Sequence, residues 1–364
     1  MSAGGTQAAL GADGPRASSR PIGWGLIGAS AIAGKRMVAA IRSAPGATIE
    51  AVASGSLERA RRFAAEHAVP RACATVDELL ADPAIDAVYV SSTNDRHHDQ
   101  VLAAAAAGKH VFCEKPLATN VAAGTEMVDA CARAGVVLAV DQHLRCLPWI
   151  RRLRELVADG QLGQIQSISL AHRFAVDVAH DWRRTSGAGG GVILDLIVHE
   201  ADLVRFLLDD EIVAVSAMTA HAPRSVAQTA AGTMATAGGT LVGFDATLTL
   251  DHAGTRLELL GTEAAAIASD GLSVAPGTRL SLWRRDVERL LATPPYEDPY
   301  AVGVAAFQAA IAGVGEPASS GLDGLRALAV AVAAREAART GRTIRPPRLP
   351  HSARGIPTAE VRRR

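Results

Sequence analysis

The chain has 364 residues, enough for two domains, and half of it is apolar with few aromatics, so Ala, Val, Leu and Ile must build the core. Lys plus Arg and Asp plus Glu number 37 each, and zero net charge argues against a nucleic acid or other polyanion as partner. No apolar run approaches the roughly 20 residues that span a bilayer, and four widely spaced cysteines (Cys73, Cys113, Cys131, Cys146) form no zinc or redox pattern and fit reduced thiols in a cytoplasmic protein.

Residues 1–20, rich in Gly, Ala and Ser without an apolar centre, read as a tail and not a signal peptide. Residues 22–27 read as a short buried strand, and Gly28-Ala29-Ser30-Ala31-Ile32-Ala33 makes the turn into a helix over 32–43. A literal GxGxxG at Gly23, Gly25 and Gly28 would put glycines inside the strand. The register Gly28-x-Ser30-x-x-Ala33 spans strand, turn and helix start, as a dinucleotide fingerprint requires. Gly28 permits the tight turn, Ala33 permits close packing, and Ser30 adds a hydroxyl near a pyrophosphate at the helix N-terminus.

A second strand over 48–53 ends at Ser54-Gly55-Ser56, with Arg59 close behind. An NAD site expects an acid at this tip for the ribose hydroxyls. Its absence, with Ser54 and Arg59 nearby, favours NADP(H) over NAD(H). The plainer alternative is that Ser56 only caps helix 57–67 and Arg59 is a solvated charge. A helix over 76–81 leads to strand 87–90, which ends in Ser91-Ser92-Thr93-Asn94-Asp95-Arg96-His97. That loop falls on the same sheet edge as Gly28, where small polar side chains could line a nicotinamide ribose. After helix 99–107, strand 109–113 stops at Glu114-Lys115-Pro116, since Pro ends the ladder. Lys115 is left at the carboxyl end of a strand, where open α/β sheets place ligands. It reads either as a solvated strand-end lysine or as a substrate-orienting ammonium. Helix 121–134 and strand 136–141 complete a parallel, doubly wound sheet over residues 21–142.

After Gln142 the pattern changes. An amphipathic helix over 148–159 precedes strands near 165–173, 213–221, 229–236, 240–250 and 256–261, with Gly238-Gly239 as a hairpin turn. Sequential strands predict a mostly antiparallel open sheet in a second, α+β domain over 143–345. Ala-rich helices at 298–312 and 322–340 are expected near the domain junction, and 346–364 reads as a second tail. Within the second domain, Gly189-Gly190-Gly191 leads into a helix on which Asp195, His199 and Asp202 share one face. A buried histidine is commonly a core residue, but Asp and His stacked after three glycines point to a proton-transfer site. D-x-x-x-H also supplies two metal ligands; no third is evident, so no metal is assigned.

The Gly28–Ala33 turn, Ala-Gly-Lys-His-Val-Phe-Cys-Glu-Lys-Pro (107–116) and the triple glycine with Asp195, His199 and Asp202 together resemble the Gfo/Idh/MocA family of sugar oxidoreductases, over residues 22–340 and in the family's order. Within it the chain is most similar to a bacterial NADP-dependent sugar-reductase branch. The resemblance implies Lys115, Asp195 and His199 as the catalytic group. It implies cofactor contacts from Gly28, Ala29, Ser30, Ile32, Ala33, Ser54, Arg59, Ser92, Thr93, Asn94, His97, Glu114, Lys115, Trp182, Arg183 and Tyr300. It also implies a sugar or polyol substrate and a homo-oligomer formed through the C-terminal sheet. Asp141 is a departure, replacing an Asn of that branch, and puts an acid near the nicotinamide that could alter cofactor affinity.

The implied reaction is hydride transfer to or from a sugar-type carbonyl or secondary alcohol. His199, with a reference pKa of ~6.5, is the expected acid/base, and Lys115, at ~10.4, the electrostatic support for the reacting oxygen, with the reverse assignment open. Asp195 would orient the substrate hydroxyl. Alternatives are an inositol or other polyol dehydrogenase, a catalytically silent NADP-binding regulator, and NAD-dependent glycoside hydrolysis.

Overall fold

A computed structural model describes residues 20–176, 182–184, 186–220, 226–250, 252 and 254–349. The two expected tails lie outside these residues apart from Arg20 and 346–349.

Six strands, β1 (Ile22–Ile27), β2 (Ala47–Ala53), β3 (Arg71–Cys73), β4 (Ala87–Val90), β5 (His110–Cys113) and β6 (Leu138–Val140), pair in parallel in the order β3-β2-β1-β4-β5-β6. The order reverses direction at β1, the switch point where such sheets open a crevice at their carboxyl ends. Alternating with the strands are α1 (Val38–Ser43, entered through a π turn over Ala33–Met37), α2 (Leu57–Glu66), α3 (Val76–Leu80), α4 (His97–Ala106) and α5 (Val121–Ala134). Their starts follow local chemistry: Ser56, Thr75 and Asn120 each accept a hydrogen bond from a backbone N–H three residues on. Ser56 therefore does cap its helix.

After α6 (Pro148–Ala158) comes the second sheet: β7 (Ile165–Arg173), then α7 (Val198–Leu208), β8 (Ile212–Ala220), β9 (Thr229–Thr236), β10 (Leu241–Thr247), β11 (Arg256–Gly261), β12 (Ala265–Ser269), β13 (Arg279–Arg284) and β14 (Val287–Leu290). Its order is β14-β13-β12-β11-β7-β10-β9-β8, antiparallel except where β10 runs parallel to β7. The β9–β10 hairpin turns at Gly238 and Gly239 as expected. The sequence pattern misses β3, β12, β13 and β14. β3 has three residues, too few to show alternation; β12 (Ala-Ala-Ile-Ala-Ser) has a single branched residue, Ile267, among small ones and so carries little strand signal. β14 is exposed along its whole length and has no apolar face to betray it.

The last helices, α8 (Pro299–Ile311) and α9 (Gly321–Thr340), return to the first domain. Phe307 of α8 packs between Trp24 of β1 and Phe112 of β5, with ring centres 5.4 and 5.3 Å away, so the chain's end covers one face of the parallel sheet. α9 packs on α5 and on β8, and one apolar core runs continuously from the parallel sheet through α9 into the second sheet. That continuity fixes the walls of the crevice between the domains. Among the described residues no helix is long and apolar enough to cross a membrane.

Candidate active site

The turn after β1 is built around Gly28. Its φ is +113°, and a Cβ there would come within 2.8 Å of the backbone of Ser91 and Ser92 in the loop after β4. Only glycine allows this approach. Ser30 Oγ donates to Ser91 Oγ at 2.9 Å and accepts from the Ala33 N–H at 3.1 Å, so its hydroxyl ties turn to loop and caps the helix start. Ala33 is wholly buried under the helix, while Ser30 and Ile32 line the crevice. Ala29 turns the other way: its N–H points at Ser54 Oγ, 3.5 Å off, and its carbonyl accepts from Arg59 at 3.1 Å.

The loop after β4 supplies Ser92 and Asn94 to the crevice wall. Ser92 Oγ donates to Gln100 Oε1 at 2.6 Å, and Asn94 Nδ2 donates to the Gly189 carbonyl at 2.9 Å, bridging the domains. Thr93 lies between them, outside the residues that line the crevice. His97 is placed differently from the expectation. It is fully buried, with Nδ1 2.9 Å from the Pro116 carbonyl and Nε2 3.2 Å from that of Ser92. It braces the two loops from behind and does not line the crevice.

Lys115 emerges at the end of β5. Its Nζ donates to Asp195 Oδ1 at 2.6 Å and to the Asp195 carbonyl at 3.0 Å. Arg183 Nε donates to the other oxygen, Oδ2, at 2.8 Å, and the Arg183 guanidinium lies 4.7 Å over the Trp182 ring. Burial would push the Asp195 carboxyl up, but the Lys115 and Arg183 charges hold it well below the usual carboxylate range. A carboxylate held by two cations is acceptor-only, suited to fixing Lys115 and not to giving a proton.

His199 lines the same crevice, four residues on from Asp195. Between them the helix starts as a π turn over Ile193–Ile197, so the regular i, i+4 spacing read from sequence is not the geometry present. Burial first, then the Lys115 ammonium, push the imidazole well below its ordinary value. This corrects the expectation of a histidine titrating near neutrality: burial and Lys115 hold His199 towards the neutral imidazole, which has no imidazolium proton to donate and is a weaker base than a free histidine. Asp202 does not join the group. It takes a bidentate bond from Arg145, at 2.5 and 2.6 Å, and the buried pair extends to Asp323 and Arg205 beneath the domain junction.

Glu114 accepts from the Tyr89 hydroxyl at 2.6 Å and from the Lys115 N–H at 3.2 Å. Asp141 sits behind it, buried, with Oδ2 unpartnered, in a small cavity away from the main crevice. Burial and the neighbouring Glu114 push Asp141 well above the carboxylate range. The acid expected to bring charge towards the nicotinamide is thereby pushed towards its neutral form. Tyr300, whose ring stacks on His143 at 4.6 Å, lines the crevice, as do Trp182 and Arg183.

The sequence pattern singled out neither His143 nor His172 for chemistry, yet both line the crevice, with ring centres 4.9 and 6.2 Å from His199. Burial, with help from Lys115, pushes them down to about 3 and about 4. A signal for His172 was present: it follows Ile168 and Leu170 in the period-two pattern of β7, a polar residue on an apolar face. The segment Leu272–Thr278, between β12 and β13, forms the facing wall.

The crevice holds about 820 Å³, within the roughly 300–1,000 Å³ range of cofactor and ligand sites. It reaches from the glycine turn to Lys115 and His199, and a dinucleotide fits the residues present: a turn pinched open for close backbone approach, a helix start behind it, and small hydroxyls along the sheet edge. Fold and site together define a Rossmann-type oxidoreductase.

The description "Oxidoreductase family, NAD-binding Rossmann fold" matches residues 22–142, and "GFO/IDH/MocA C-terminal domain" matches 150–267. A 1,5-anhydro-D-fructose reductase of Ensifer adhaerens is 39% identical over 323 residues, 87% of this chain and 96% of that protein. A myo-inositol 2-dehydrogenase of Thermotoga maritima is 32% identical over 166 residues, 46% of this chain and about half (49%) of its own length. Among solved structures, an aldose–aldose oxidoreductase of Caulobacter crescentus superposes with a TM-score of 0.82 at 25% identity, covering 90% of this chain and all of that one. The chain belongs to the Gfo/Idh/MocA oxidoreductase family. It is a sugar oxidoreductase with an NAD(P)-binding Rossmann domain, acting on CH–OH groups.

Proposed function

We propose that this protein is an NADP(H)-dependent reductase of a sugar carbonyl, with 1,5-anhydro-D-fructose as the first substrate to test. The observation that carries the chemistry is the Lys115–Asp195 pair beside His199, in the crevice that begins at the Gly28 turn. The likeness to the Ensifer reductase over nearly its whole length supports the substrate.

A nicotinamide nucleotide bound here supplies the hydride. Gly28, Ser30 and Ile32 would hold its phosphates, Ser92 and Asn94 its ribose, and Trp182, Arg183 and Tyr300 the nicotinamide end. The 2′-phosphate preference rests on Arg59 and Ser54, which flank the turn at Ala29. The first acid after the β2 tip, Glu58, is paired with Arg62 on α2. Lys115 donates to the substrate oxygen where negative charge grows, and Asp195 fixes its direction. With His199 held towards its neutral form, Lys115 is the group placed to deliver a proton in the reducing direction; in the oxidising direction His199 would take one only as a weak base, its protonation opposed by burial and by Lys115.

The same neutral His199 favours a second reading, oxidation of an inositol-like secondary alcohol. The test is absorbance of the nicotinamide with purified protein: NADPH or NADH with 1,5-anhydro-D-fructose, and NADP⁺ or NAD⁺ with myo-inositol. Oxidation of NADPH with the anhydrosugar supports the first reading; NAD(P)⁺ reduction with myo-inositol alone replaces it with the second. The buried free cysteines suit the proposed cytoplasmic setting, and the C-terminal sheet is the face proposed for self-association.

A further inference from the structure

His172 carries no role in this chemistry, yet it lines the crevice 6.2 Å from the His199 ring. It sits on the inward face of β7 and is 4% exposed. Its Nδ1 is buried without a hydrogen bond, 3.9 Å from Glu200 Oε1. Glu200 follows His199 on α7, is fully buried, and has no hydrogen-bond partner at either oxygen. At 3.9 Å the two do not yet bond, but buried polar groups rarely stay unpaired, and each is the available partner of the other.

Charge decides which of the two gives the proton. Burial, with the Asp245 charge, pushes the Glu200 carboxyl well above its ordinary range, and an unpaired carboxylate at that depth would be costly. Burial, with the Lys115 ammonium, keeps the His172 ring neutral; Asp195 pulls weakly the other way. A neutral acid donates and a bare imidazole nitrogen accepts, which puts the ring proton on the other nitrogen. With Nδ1 turned inward, Nε2 is the nitrogen left to the crevice.

We infer that Glu200 and His172 form a specificity pair: the Glu200 O–H donates to His172 Nδ1, fixes the Nε2–H tautomer, and makes Nε2–H a donor to a hydroxyl or carbonyl oxygen of the sugar. Glu200 is a positioning residue, since it acts only through His172. The sugar half of this inference rests on the proposed function, while the tautomer does not. The pair also explains why a group so close to His199 is no second base: its ring faces substrate as a neutral donor.

The test begins with ¹⁵N NMR of histidine-labelled, ligand-free protein near neutral pH, the His172 signal being identified by its loss in His172→Phe. The expected result is a protonated Nε2 and a bare Nδ1. Glu200→Gln, whose amide also donates, should keep that pattern, while Glu200→Leu should give a mixture of tautomers. In turnover with 1,5-anhydro-D-fructose, His172→Phe should raise the sugar KM about tenfold, the size of one lost hydrogen bond. Its kcat and its NADPH KM should stay within about twofold. An Nδ1–H or doubly protonated ring in the wild type overturns the inference, and neither measurement requires Glu200→Leu to fold. Unchanged sugar KM in His172→Phe also overturns it. If wild-type protein shows Nε2–H but turns over no sugar, the proposed function and the recognition half fail together while the tautomer assignment stands.

Discussion

Lys115 Nζ lies 2.6 Å from Asp195 Oδ1, an ion pair that joins the end of β5 in the first domain to the helix after Gly189–Gly191 in the second. Both partners are largely buried, and Arg183 holds the other oxygen of Asp195, so two cations share its charge. The arrangement sets one mobile proton donor at the point where both crevice walls meet.

Lys115→Met should therefore lower kcat by about 10³-fold, in the range of losing an acid and its charge together. Arg183 still neutralises Asp195, so the fold and the dinucleotide affinity should change little. Steady-state rates beside a fluorescence titration with NADPH separate the two effects. A kcat within tenfold of wild type would remove Lys115 from the chemistry.

Arg59→Ala bears on cofactor choice. The guanidinium is exposed and, among the described residues, donates to the Ala29 carbonyl through one nitrogen, which leaves donors for a 2′-phosphate. The ratio of kcat/KM for NADPH over NADH should fall by about tenfold or more, through KM. An unchanged ratio would leave Arg59 a surface charge.

Asp202→Ala should separate structure from catalysis within one helix. It strips the bidentate partner from the buried Arg145 and leaves it the more distant Asp323, which costs about 3 kcal/mol, the low end for breaking a buried pair. The unfolding free energy from urea titration should drop by that amount, while kcat per folded molecule stays near wild type because Asp202 lies outside the crevice. A large kcat loss would add Asp202 to the catalytic group.

Much of this was legible from residues alone, and the limits are physical. The β1 turn, the Glu114-Lys115-Pro116 strand end and the triple glycine are local signals, and each falls where its chemistry predicts. Asp195, His199 and Asp202 looked equivalent because an ideal helix puts them on one face. The π turn and the distant Arg145 sort them, and neither is visible from spacing. The protonation of His199 and Asp141 was equally hidden, since it depends on burial among groups far apart in sequence.

Gly28→Ala tests the turn. The methyl would meet the backbone of Ser91 and Ser92 at 2.8 Å, in a φ region that L-residues avoid. Backbone, unlike a flexible side chain, cannot swing aside cheaply. NADPH affinity should fall by about tenfold or more with a loss of stability of about 1–3 kcal/mol. Wild-type affinity would show that the loop yields.

His172 gives a pH dependence of defined sign. In the unfolded chain it takes a proton near its reference value of ~6.5; in the folded protein it does so only at about 4. Below ~6.5 the unfolded state binds more protons, so this group's contribution is present above that value and is lost as pH falls towards 4. The loss is about 1.4 kcal/mol per pH unit and about 3 kcal/mol in all. Urea unfolding of His172→Phe should show a shallower decline than wild type over this window, by one proton's worth. Parallel curves would mean that His172 titrates normally.

Direct hydride transfer in the crevice holds the account together, and deuterium tracing reads it. NADPH deuterated at nicotinamide C4 is incubated with the protein and 1,5-anhydro-D-fructose in ordinary water, and the alcohol is examined by mass spectrometry and NMR. The predicted result is one deuterium on the carbon that was the carbonyl, from one face of the nicotinamide only, and none with Lys115→Met on the same timescale. Product without deuterium at that carbon, or equal transfer by wild type and Lys115→Met, would contradict it.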